Sequence, residues 1–520
     1  MMSDKGMITS VLLAFAGLLF PTTVQAQNTP LRSFTWGTNT QGLCFLGADG
    51  HVHAMTMIRP GTTDWVPFDI TTAAQASTTP LFPNPQDAQT LAGYSFIVLD
   101  QHGQPIEDSV HAVYLGMDGY VHEAYAQGLE SLSWSDHALT AAAAPLGSLG
   151  ALTGLPTTPF GGYAFVAYNE DGTTRESTEH VIYLDRNGAL HNLEYSPGGK
   201  WTDETIEPNI NVKPLLTGSL ATPIAAYSFV EYYPGILQEA TEHVIFIDSN
   251  HRLHELWRPA GSAFWADNLL PGNPLVLDGV VTPLTAYSVK VIDSDQNLRE
   301  ISEHVIYVGA DNALHELYNV RKPFQTGWRD GVLPTEVPPL VSAVQMTPLA
   351  GFGFFSAIIE YTSGGEEQAF RYDIQEISEH VIYIGTDGRL RELYNVLSGT
   401  PGWVDHALPT AAPPLFIRPT FTGPPAKTTP VAGHPFVVNY DDGTLAESTM
   451  HVFYIDQNSN LHEMYYAVPG DGHWWDRNLT QQLGVKPATL VGNSGMLRIG
   501  IPARTQLETS GRRLFDPAKP

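Results

Sequence analysis

The chain has 520 residues, with 26 Lys and Arg against 54 Asp and Glu, and a formal net charge of −28 at pH 7. A phosphate backbone is bound by Lys and Arg displacing its counterions, so this balance excludes nucleic acid and disfavours adsorption to an anionic membrane surface. Cys44 is the single cysteine, which rules out an intramolecular disulfide and leaves stability to a packed core.

In chain order, Lys5 is followed by an apolar run from Met7 to Phe20 and then by Val24-Gln25-Ala26. A charged n-region, a short h-region and an A-x-A-like site have the layout of a secretory signal peptide over 1–26, with cleavage expected after Ala26. The mature protein is therefore expected to be secreted or periplasmic. The run is too short for a transmembrane helix, and no other stretch approaches about 18 apolar residues, so no membrane insertion is expected.

A short unit occupies 29–73, reading TPLRSF, then LCFLGADGHVHAMTM, then Trp65. Longer units follow at 90–146, 157–209, 222–272, 282–334, 347–409 and 429–484. Each opens on small residues and an aromatic, as in TPIAAYSF (Thr222 to Phe229) and TPLTAYSV (Thr282 to Val289). A polar hairpin leads to a Val-Ile-Tyr strand such as EHVIYV, from Glu303 to Val308. Turns such as GADN (Gly309 to Asn312) and DRNG (Asp185 to Gly188) supply the Asn, Asp and Gly of tight hairpins. The third strand reads LHELYN at Leu314 to Asn319, and the fourth carries Trp-x-Asp: Trp134/Asp136, Trp201/Asp203, Trp265/Asp267, Trp328/Asp330, Trp403/Asp405 and Trp474/Asp476.

Four short antiparallel strands repeating every 60 to 75 residues or so predict an all-β fold, a β-propeller of four-stranded blades over 27–485. Counting the short first unit gives seven blades; discounting it gives six and an N-terminal extension. The segment LVGNSGMLRI, ending at Ile499, is expected to close the ring beside the first unit, within a C-terminal region 486–520 whose tail is expected to be disordered.

One constellation recurs six times. His111, His180, His243, His304, His380 and His451 each open the second strand's apolar part. Four residues before them stand Glu107, Glu176, Glu239, Glu300, Glu376 and Glu447. Twelve residues after them come Glu123, Asn192, Glu255, Glu316, Glu392 and Glu463. Side chains alternate along a strand, and the turn lies between each His and its downstream partner. Pairing across that turn brings the two together at the rim of a cleft between blades. Tyr125, Trp257, Tyr318, Tyr394 and Tyr465, two residues beyond the glutamates, share their face.

Imidazole, carboxylate and ring offer donors, acceptors and a stacking plane, which suits carbohydrate. The candidate ligand-binding sets are therefore His111/Glu123/Tyr125, His243/Glu255/Trp257, His304/Glu316/Tyr318, His380/Glu392/Tyr394 and His451/Glu463/Tyr465. Asn192 and Glu194 alter the set in the 157–209 unit, and Gly42 and Ala54 leave the first unit without one.

The strand, Asp/Asn/Gly turn, HELY and Gly-Trp-x-Asp-x-x-Leu-Pro order resembles the fucose-specific Aleuria-type lectins. The resemblance covers roughly residues 30 to 480. It implies a propeller that binds glycans in pockets between blades, with Glu123, Glu255, Glu316, Glu392 and Glu463 matching the family's sugar-binding glutamate. The family's arginine is replaced here by the histidine series, and its usual six blades differ from seven.

Other readings stand beside this one. The His–Glu pairs also suit hydrogen-bonded staples between blades, with the preceding Glu holding the imidazole tautomer, in a structural or protein-binding propeller. The Trp-x-Asp strands and a second histidine series (His53, His122, His191, His254, His315, His462, with Arg391 replacing it once) read as packing or surface. No three ligands converge in the sequence, so no metal or cofactor is expected. No hydrolase, metalloprotease or phosphate-loop motif occurs, although a propeller hydrolase or lyase stays an alternative. The insertion at 354–373 is the candidate for a unique functional loop.

Overall fold

The small residues that open each unit form innermost strands because the strands around the axis leave no room for larger ones. A Cβ on Gly161 would lie 2.7 Å from that of Ala226 on the next blade, and one on Gly433 would lie 2.7 Å from the ring of Phe352. The computed structural model describes residues 31–487, less short stretches between strands, of which 81–90, 147–157 and 418–426 are the longest. Seven four-stranded antiparallel sheets result, each in sequence order.

Blade one runs from strand Leu31–Trp36 to Val66–Asp69, blade two from Ala92–Leu99 to Trp134–Ala138, and blade three from Phe160–Tyr168 to Thr202–Thr205. Blade four runs from Ala225–Tyr233 to Ala266–Leu269 and blade five from Thr285–Ile292 to Arg329–Val332. Blades six and seven run from Ala350–Thr362 to Trp403–Ala407 and from Val431–Asn439 to Trp475–Asn478. The short first unit is thus a full blade.

Each junction between neighbouring blades holds its own hydrophobic cluster, and strand alternation builds it. Val305 and Tyr307 pack towards blade four, whereas Ile306 and Val308 pack towards blade six. His304 shares the Ile306 face, so the histidine series points at the following blade.

The ring closes between blades seven and one. The Trp65 indole of blade one donates to Glu463 of blade seven at 2.9 Å. At the other junctions a proline preceding the blade bridges its second turn, as Pro80 does to Gly116 and Pro414 to Asp456. For blade one that partner comes from the far end of the chain: Pro487 bridges Gly47, and Ala48 N–H donates to the Lys486 carbonyl at 2.9 Å. The expected closing segment up to Ile499 lies outside the described residues, as do the expected signal peptide over 1–26 and the C-terminal tail.

The Trp-x-Asp carboxylates staple each blade's outer strands. Asp476 accepts from Tyr454 (2.6 Å) and pairs with His462 (2.7 Å), and Asp203 does the same with Tyr183 (2.7 Å) and His191 (2.9 Å). Arg391 fits this position because its Nε donates to Asp405 at 3.0 Å. Turn chemistry also follows the sequence: Gly188 and Asn312 take φ of 83° and 65°, a region that favours Gly and Asn. The 354–373 insertion lengthens the first hairpin of blade six, its strands pairing from Phe354↔Ser378 out to Thr362↔Ala369.

Candidate functional site

The second strand delivers each histidine to a junction, where it meets its partner twelve residues on. His111 Nδ1 lies 2.7 Å from Glu123, His243 2.9 Å from Glu255, His304 2.9 Å from Glu316, His380 2.7 Å from Glu392 and His451 2.8 Å from Glu463. His180 lies 3.1 Å from Asn192. All twelve residues are buried. The expected pairing therefore forms in each of the six units that carry the histidine, but below the rim rather than on it. The aromatics Tyr125 and Tyr465 remain half-buried above their histidines.

Among the described side chains, the other imidazole nitrogen does not meet the glutamate four residues back. It faces a hydroxyl two residues back instead: Ser109 (2.8 Å), Thr178 (2.7 Å), Thr241 (2.7 Å), Ser302 (2.8 Å), Ser378 (2.7 Å) and Thr449 (2.7 Å). In blades six and seven the upstream glutamates, Glu376 and Glu447, accept from that hydroxyl.

A further glutamate, just before the next blade's histidine, completes the junction. Glu179 lies 3.2 Å from His111, Glu242 3.0 Å from His180, Glu303 3.1 Å from His243 and Glu379 3.1 Å from His304. The tyrosine opposite each histidine on the inner strand stacks on the ring, Tyr94 on His111 at 4.8 Å for example. At three junctions its hydroxyl donates across, Tyr94 to Glu179 at 3.0 Å, Tyr163 to Glu242 at 2.7 Å and Tyr227 to Glu303 at 3.2 Å, whereas the buried Tyr287 hydroxyl beside His304 has no hydrogen-bond partner among the described residues. Where the tyrosine is missing, so is the glutamate. Phe352 faces the blade-seven position held by Met450, and His434 of blade seven pairs at 3.1 Å with Gln41 of blade one.

Burial and neighbouring charge move the protons of this network. Burial pushes the Glu179 carboxyl up to about 8, with the Glu123 charge adding and His111 opposing. His111 is held above its ordinary value, since the Glu179 and Glu123 charges outweigh burial. His180 goes the other way, because burial dominates. Three sets bring ligand atoms within 4.8 Å: His111/Glu123/Glu179, His243/Glu255/Glu303 and His304/Glu316/Glu379. These are zinc-type donors, yet both ring nitrogens of each histidine already have partners.

The junctions differ in what covers the carboxylates. Between blades three and four, Arg258 donates to Glu242 (2.7 Å) and Glu194 (2.7 Å) and sits 4.8 Å above Trp265. Between four and five, Arg321 donates to Glu303, and Asn268 (2.9 Å) and Trp328 (2.8 Å) donate to Glu255. Between five and six, Asn395 donates to Glu379 at 3.3 Å. His406 lies 3.2 Å from Glu392 between six and seven, and Arg477 donates to Glu463 at 2.8 Å between seven and one.

Between blades two and three, Tyr195 stands where Arg258 stands in blade four, and His137 where Arg477 stands in blade seven. There a cavity of 390 Å³ opens, lined by Glu107, His111, Glu123, Tyr125 and His137 of blade two, with Glu179, Tyr195, Lys200 and Trp201 from blade three. Of these, His111, Glu123 and Tyr125 are ligand contacts expected from the sequence.

No family model and no curated protein matches the sequence. Among solved structures, the lectin BP39L from Burkholderia pseudomallei has a TM-score of 0.51 at 17% identity, covering 86% of this chain and 98% of its own. A lectin of Aleuria aurantia, described as a six-bladed β-propeller with a novel fucose recognition mode, gives 0.41 at 13% identity, over 81% of this chain and all 100% of its own. AofleA of Arthrobotrys oligospora gives 0.39 at 16% identity, covering 76% and 93%. The likeness is one of fold, and seven blades stand here.

Proposed function

We propose that this is an exported carbohydrate-binding propeller whose glycan site is the cleft between blades two and three. The observation that carries this reading is the cavity itself. Its 390 Å³ lies at the small end of ligand pockets, which span about 300–1,000 Å³. Three aromatic walls (Tyr125, Tyr195, Trp201) face a polar floor of His111, Glu123 and Glu179, the division of labour that a sugar's C–H face and hydroxyls require. A lectin of the same fold, BP39L, supports it.

The sets His243/Glu255/Trp257, His304/Glu316/Tyr318, His380/Glu392/Tyr394 and His451/Glu463/Tyr465 we read as staples between blades. The paired loss of Tyr and Glu at Phe352 and Met450 favours that role, because a buried carboxylate without its hydroxyl partner is costly.

The test is a glycan array followed by calorimetry on the mature chain, with Trp201→Ala as the diagnostic variant. Removing that wall is expected to weaken binding about 10- to 100-fold while circular dichroism stays unchanged. Unaltered affinity in a folded variant would remove this cleft from the account.

A further inference from the structure

We propose that the cleft between blades two and three selects a sugar bearing a free ammonium group, an amino sugar rather than its N-acetylated or neutral counterpart. This rests on the carbohydrate reading above.

The argument comes from the chain's own repeats. At two junctions a guanidinium of the protein lies on the counterpart of Glu179, Arg258 on Glu242 at 2.7 Å and Arg321 on Glu303, and at a third Arg477 lies on Glu463, the counterpart of Glu123, at 2.8 Å. Two of these cations also lie over an aromatic ring, Arg258 at 4.8 Å from the Trp265 centroid and Arg477 at 5.8 Å from that of Tyr465. At each of these junctions the fold thus sets a cation of its own on a buried carboxylate, and at two of them an aromatic ring lies beside that cation.

Between blades two and three the carboxylates and rings remain but the guanidinium does not. Glu179 faces Tyr195 across the strand pair, where Glu242 faces Arg258. Glu179 accepts from Tyr94 at 3.0 Å and lies 3.2 Å from His111. The charged and titratable groups around the cavity are Glu107, Glu123 and Glu179 against His111, His137 and the exposed Lys200. Tyr125, Tyr195 and Trp201 supply the π faces that attract an ammonium. An ammonium on a sugar ring would take the position that Arg258 fills one junction further on, with the hydroxyls left for His111, His137 and Lys200. An N-acetyl group has no charge to offer there. Burial and the nearby Glu123 charge hold the Glu179 carboxyl high against His111, so ammonium binding is accompanied by release of the Glu179 proton.

The experiment is calorimetry of the mature chain with methyl glucosaminide, methyl N-acetylglucosaminide and methyl glucoside at about pH 6, where the amine is protonated. The amine is expected to bind roughly tenfold more tightly than either neutral sugar. Glu179→Gln should erase that preference. Tyr195→Arg, which installs the internal cation of the next junction without removing any buried charge, should abolish amine binding in a protein with an unchanged circular dichroism spectrum. Equal or tighter binding of the neutral sugars would overturn the ammonium selection and leave the carbohydrate site standing. Binding of none of the three would overturn both.

Discussion

Replacing Arg258 by Met isolates the energetics of a filled junction. Met keeps the apolar stem over Trp265 but removes the donors to Glu242 and Glu194. Side-chain exposures are 6% for Arg258, 1% for Glu242 and 29% for Glu194, so the Glu242 contact is a buried ion pair rather than a surface one. Surface pairs are worth about 0–1 kcal/mol, whereas breaking a buried pair and stranding its partner costs about 3–5 kcal/mol. Glu242 would retain only Tyr163 (2.7 Å) and His180 (3.0 Å) among these contacts. The predicted loss at neutral pH is therefore about 3–5 kcal/mol, read as a lower urea midpoint by tryptophan fluorescence.

The pH dependence has a definite sign. Burial raises the Glu194 carboxyl, but His180 and Arg258 outweigh it and hold the group below the usual carboxylate range. Its contribution is present above the unfolded value near about 4.3 and is lost as pH falls through the lower folded value. Without Arg258 the Glu194 carboxylate takes up its proton more readily, so the gap between wild type and variant should narrow towards acid. Adding Glu242→Gln to Arg258→Met should recover most of the loss, since no buried charge is then unpaired. A single-variant cost below about 1 kcal/mol, or one that does not change with pH, would refute the reasoning.

Two further outcomes follow from the packing. Gly161→Ala should cost about 1–3 kcal/mol in a urea titration, because its Cβ would meet Ala226 at 2.7 Å; a neutral result would show that the inner ring has slack. Burial pushes the Cys44 thiol far up, so it should resist a thiol-specific chromophore in the native state and react fully in urea; rapid labelling without denaturant would contradict its placement in the core.

The fold was legible because repetition exposes it: the turn residues, the Val-Ile-Tyr strands and Trp65 marked even the short first blade. The His–Glu pairing was legible too, since the spacing across one turn is a local quantity. The junction was not. The hydroxyls from Ser109 to Thr449 recur in every unit with a histidine, yet Ser and Thr two residues before a histidine on a strand look like ordinary β residues. Glu179, Glu242, Glu303 and Glu379 act on the preceding blade's histidine, so their meaning appears only once neighbouring units face each other. The matched pairs Phe352 with Met450 and His434 with Gln41 become visible for the same reason. Trp201 read as packing, and it also walls the cavity.

The most direct test is the stoichiometry of glycan binding, measured by calorimetry on the folded protein with the tightest sugar from an array. The account predicts one site per chain, lost in Trp201→Ala. Several equivalent sites, or a single one that survives that substitution, would contradict it.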